Sequence, residues 1–104
     1  MATSRAELID ILRGVTHVNV NVTVEHHADH GGIYNAHLAR RIGTTATARF
    51  NIAFSDAQLQ QNKGYLREQI ISTITEQAPY FLGDELLLDH ARNQAHIHAL
   101  QNFK

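Results

Sequence analysis

At 104 residues the chain can bury one hydrophobic core but cannot carry separate catalytic and substrate lobes, so its function is expected on one globular domain, 1–104, or between copies of it. Hydrophobic residues make up 43% and charged residues 18%, which argues against intrinsic disorder, while Lys plus Arg number 9 against 10 for Asp plus Glu, which argues against a general nucleic-acid binder. There is no cysteine, hence no disulfide scaffold, thiolate zinc site or cysteine nucleophile.

The opening MATSRAELIDILRG lacks the apolar stretch of a signal peptide, and no segment approaches the roughly 18 apolar residues of a membrane span. The chain is therefore read as cytoplasmic, with no membrane partner. Ser4 with Glu7 makes a capping-box pattern, and Leu8, Ile11, Leu12 and Val15 follow at helical spacing beside Gly14. An N-terminal amphipathic helix is expected there. From Val18 to Val24 every second residue is valine, with His17, Asn19, Asn21, Thr23 and Glu25 between them, the clearest strand in the sequence.

Asp29-His30-Gly31-Gly32 is turn chemistry, because paired glycines supply the positive φ that a tight reversal needs. Ile33 to Arg40 reads as a second strand with Tyr34, Ala36 and Leu38 on one face, and a helix over 33–41 stays open as the alternative. Gly43-Thr44 marks another turn, after which Ala46, Ala48, Phe50, Ile52 and Phe54 alternate with Thr45, Thr47, Arg49 and Asn51 as a third strand. Ser55 with Gln58 repeats the capping box, and Leu59, Leu66, Ile70 and Ile74 trace one helical face, weakened at Gly64 and stopped by Pro79. Asp84 caps a last helix with a narrow seam of Leu87, Leu88, Ala91, Ala95 and Ala99. The expected fold is α+β: an N-terminal helix, a three-stranded antiparallel β-meander, and two C-terminal helices packed on one sheet face. Helices on the valine and phenylalanine face leave the His/Asn/Thr/Arg face open, either wet or a docking surface.

Candidate chemistry centres on EHHADHGGI, Glu25 to Ile33. It resembles the H-x-H-x-D-H signature of the metallo-β-lactamase superfamily, in which imidazoles and a carboxylate hold one or two zinc ions after a strand. Glu25 stands at the first histidine, the residue between the last histidine and the glycines is missing, and the family's fold is roughly twice this length, so no role is carried over. His26, His27, Asp29 and His30 remain as a freestanding metal set, because neutral imidazoles converging at a turn are good ligands for zinc or nickel. The competing reading is a solvated, imidazole-rich hairpin turn, and that reading is preferred.

His96-Ile97-His98, within QAHIHAL, resembles the His-x-His-x-His motif of histidine-triad nucleotide hydrolases, with Leu100 at the third histidine and no glycine-rich phosphate loop before it. A strand over 95–100 would set both imidazoles on one side, whereas a helix, the preferred reading, makes them diverge. Ser4 and Ser55 read as helix caps and Ser72 as a helix residue, with no nucleophile elbow; Asp84, Glu85 and Asp89 complement a helix N-terminus. No catalytic residue is assigned.

Arg40, Arg41 and Arg49 are expected near the open sheet face beside His37, Asn35 and Asn51, where guanidiniums bind a phosphate or a partner's carboxylate. The first functional reading is a non-enzymatic subunit without cofactor that assembles with copies of itself and with other assembly proteins, as a ring, tube or shell component such as one of a virus particle formed in the cytoplasm. Its interface is expected at Asn19, Asn21 and Thr23 on the sheet and at Tyr80, Phe81 and Phe103 in linking or terminal positions. Two readings compete with it: a binder of a nucleotide or other small anion between subunits through Arg40, Arg41, Arg49 and His37, and a small metal-dependent enzyme built on the histidine turn.

Overall fold

The computed structural model describes residues 3–102, with the side chains of His30 and of 95–102 outside the description. Chain order is α1 (Arg5–Val15), β1 (Val20–His27), a 3-10 turn (Ala28–His30), β2 (Ile33–Ile42), β3 (Ala46–Phe54), α2 (Asp56–Leu59), α3 (Lys63–Gln77), a second 3-10 turn (Pro79–Phe81) and α4 (Asp84–Asn102). The α+β meander expected from the sequence is present. The strands form one antiparallel sheet in the order β1-β2-β3, and 33–42 is strand rather than helix.

Helix α1 starts where the capping box places it: the Ser4 hydroxyl accepts from the Glu7 amide, and the Glu7 carboxylate accepts from the Ser4 amide. Its buried face, Leu8, Leu12 and Val15, meets Val20, Val22 and Val24 of β1, Ala36 and Leu38 of β2, and Ile52 and Phe54 of β3 in one cluster. Leu66, Ile70 and Ile74 of α3 complete it from the same side. All helical packing thus falls on the valine and phenylalanine face.

Four details depart from the sequence reading. The first strand starts at Val20, and Val18 is 92% exposed, because residues 17–20 close a turn of their own. There the Val20 amide donates to the His17 carbonyl at 2.9 Å, and the Asn19 amide donates to His17 Nδ1 at 3.0 Å. A side chain that captures a nearby main-chain amide outcompetes the ladder, and the valine alternation does not record it. The helical stretch after β3 is split, since the Asn62 side chain accepts from the amides of Gly64 and Tyr65 and so opens α3 as a new helix.

The third departure concerns the segment after Pro79. Phe81 and Leu82 are fully buried, and Phe81 lies 6.1 Å from Phe50, centroid to centroid. Pro79 starts a 3-10 turn, the Phe81 carbonyl accepts from the His17 amide, and Leu82 bridges to Thr16, so both side chains are pulled under the sheet. The fourth is the α4 seam. Leu86 and Leu87 rest on the core, but Leu88 is 51% exposed, Ala91 is exposed, and the side chains of Ala95 and Ala99 lie outside the described residues. A radius of gyration of 15.6 Å, against roughly 13 Å for a compact chain of this length, fits a helix that runs beyond the body.

Candidate functional site

Period-two alternation and the sheet register place the polar residues. Thr23 pairs with His37, which pairs with Asn51; Asn21 pairs with Ala39, which pairs with Arg49; Glu25 pairs with Asn35, which pairs with Ala53. Residues paired across an antiparallel sheet project to the same side. These nine positions, with His27 and Arg41, form the face that no helix covers among the described residues. A hollow of about 280 Å³ lies in it, lined by Asn21, Thr23, His37, Arg49 and Asn51 among others.

His37 Nδ1 lies 2.9 Å from Asn51 Oδ1. An amide oxygen only accepts, so the imidazole proton sits on Nδ1. His37 Nε2 is shielded from water, makes no hydrogen bond, and stands 3.6 Å from Glu25 Oε2; His27 Nε2 stands 3.4 Å from that same oxygen. One carboxylate oxygen therefore stands beside a ring nitrogen of each of two imidazoles. At the other end of the face, Arg41 donates to the Thr44 carbonyl at 2.8 Å, while Arg49 is exposed beside the hollow. The face is thus electrically polar along the strands, with Glu25 toward one end and Arg41 and Arg49 toward the other.

The structure divides the arginine set expected from the sequence. Arg41, Arg49 and His37 share the open face, but Arg40 has the opposite parity and its guanidinium donates to the Tyr80 carbonyl. Adjacent residues on a strand leave it on opposite sides, so Arg40 does not join Arg41, Arg49 and His37 on the open face. Arg40 instead lines a separate hollow of about 400 Å³ with Arg41, Ile42, Gly43 and Tyr80 at the β2–β3 turn.

The same parity splits the metal set. His26 lies on the helical side, stacked on Tyr34 at 4.2 Å, whereas His27 is on the open face; Asp29 is exposed in the 3-10 turn, and the His30 side chain is outside the described residues. Among the described residues no group of three histidine or acidic side chains can hold a metal ion. The turn itself follows the expectation: Gly31 and Gly32 have φ of 76° and 74°. Residues 95–100 fall within α4, the helical alternative for His96 and His98.

Of the expected interface residues, Asn19, Asn21, Thr23 and Tyr80 are exposed, and Phe103 lies outside the described residues. Phe81 is corrected to a core residue, since a fully buried ring has no surface to offer a partner. Sequence reasoning missed Glu25 as the centre of the polar face. The signal was present, because Glu25 and His27 are two apart in a strand, but the histidine-rich turn drew all three imidazoles 26, 27 and 30 into one set. No protein family, curated protein or solved structure matches the chain.

Proposed function

We propose that the chain is a non-enzymatic assembly subunit that associates with copies of itself as part of a ring, tube or shell. The observation that supports this most directly is the bare sheet face with Glu25 toward one end and Arg41 and Arg49 toward the other. A copy turned by a twofold axis through the His37 and Asn51 row brings its arginine end over the Glu25 end of the face, and its Glu25 end over the arginine end. Such self-complementarity is what an isologous contact requires. Asn21, Thr23 and Asn51 supply donors and acceptors for the wet contact that a polar sheet face makes.

A small anionic ligand seated at Arg49 and His37 has weaker support, because Glu25 stands 3.6 Å from His37 and repels a second negative charge there. Charge reversal tests the assembly reading by sedimentation velocity over a concentration series. Glu25→Arg is expected to weaken association, and Glu25→Arg combined with Arg41→Glu to restore it. Association unchanged by Glu25→Arg, or not recovered in the double variant, refutes the face contact.

A further inference from the structure

The two edges of the sheet are unequal. On β1, the Arg5 side chain of α1 donates to the Val24 carbonyl at 2.9 Å, so a helix side chain occupies that edge. On β3, no described hydrogen bond reaches the side away from β2. The nine residues of β3, ATARFNIAF, contain no proline or glycine and one charge, Arg49, and so lack the usual devices that keep an edge from pairing.

The direction of the free groups follows from the register. In an antiparallel sheet the amide and carbonyl of one residue point the same way, and this direction alternates along the strand. The Val24 carbonyl, bonded to Arg5, points out of the sheet. Its partner Ala36 therefore turns its main chain to β3, where it pairs with Ile52. The alternate residues Thr47, Arg49, Asn51 and Ala53 then present their amides and carbonyls at the open edge.

We infer that this edge pairs antiparallel with β3 of a second copy of the chain, with Phe50 opposite Phe50, making one continuous six-stranded sheet; the inference rests on the self-assembly reading and names a second contact for it. This register overlaps all nine residues and sets Arg49 against Asn51 of the second copy and Thr47 against its Ala53. Sliding one copy so that Arg49 meets Arg49 shortens the overlap and opposes like charges, which is destabilising on neighbouring strands. On the helical side the half-buried Ala48 and Phe50 continue the apolar layer across the join. A free β1 edge would instead allow head-to-tail pairing without closure, and there Arg5 takes the Val24 carbonyl and the His17 turn takes the Val20 amide.

The chain has no cysteine, so Thr47→Cys with Ala53→Cys gives a clean crosslinking test. Within one chain these positions are six residues apart on a strand, about 20 Å, far beyond the roughly 7 Å that a disulfide spans. Both are exposed on the open face. Mild oxidation of the double variant is expected to give a covalent dimer whose linking peptides join 47 to 53, while each single variant stays uncrosslinked. Ala53→Pro removes an amide directed at the second copy and none of the β2 ladder, and is expected to weaken the dimer by about tenfold to a hundredfold. An uncrosslinked double variant in a sample that native mass spectrometry shows to be oligomeric overturns the edge pairing and leaves the assembly reading standing. Single variants that crosslink as readily as the double, or an Ala53→Pro chain that associates normally, overturn it as well. A chain that is monomeric at every concentration overturns both readings.

Discussion

Phe81 shows how one side chain is misplaced when its neighbours in sequence are polar or helix-breaking. Pro79-Tyr80-Phe81-Leu82 sits between helices, which suggests a surface anchor, yet Phe81 and Leu82 are fully buried while Tyr80 is 45% exposed. The 3-10 turn sets this division, and no periodicity over three residues announces it. Truncation measures the consequence: Phe81→Ala is expected to cost about 3–5 kcal/mol in urea unfolding, the range for a buried aromatic side chain. A loss below about 1 kcal/mol would return Phe81 to the surface. Arg40 and Arg41 carry the same lesson with charge, since adjacency in sequence reads as one basic patch on the open face, whereas strand parity leaves only Arg41 there and Arg40 donates to the Tyr80 carbonyl.

Among the elements, the strands and both capping boxes were legible because each rests on local chemistry: alternation for β1 to β3, and Ser4 with Glu7 or Ser55 with Gln58 for the helix starts. The turn after β1 was legible too, through its glycines. Gly32 has a second constraint that the sequence does not show, because a Cβ there would come within 2.5 Å of an Asp56 carboxylate oxygen at the start of α2. With φ of 74°, Gly32→Ala is expected to destabilise by about 1–3 kcal/mol in thermal or urea unfolding. Gly31→Ala, which has a similar φ but open space around it, is the comparison that isolates the Asp56 contact. What stayed hidden at this scale depends on tertiary or side-chain capture: the His17 turn that delays β1, the Asn62 cap that divides α2 from α3, and the short stretch of α4 that reaches the core.

For the whole molecule, the described helices cover one sheet face and leave the other face and one edge uncovered. The open face was foreseeable, because the alternating valines and phenylalanines fixed which side the helices take. Its organisation was not, since the Glu25, His27 and His37 grouping exists only once β1 and β2 are in register. The β3 edge was equally invisible, because strand order and the Arg5 contact to Val24 decide which edge stays free. The proposed face and edge contacts use different groups, and two such contacts on one small subunit would suffice for an extended or closed assembly.

The most direct measurement is native mass spectrometry of the untagged protein across a dilution series. A discrete oligomer that gives way to monomer on dilution is the outcome predicted for a self-assembling subunit. A monomer at every concentration would contradict it.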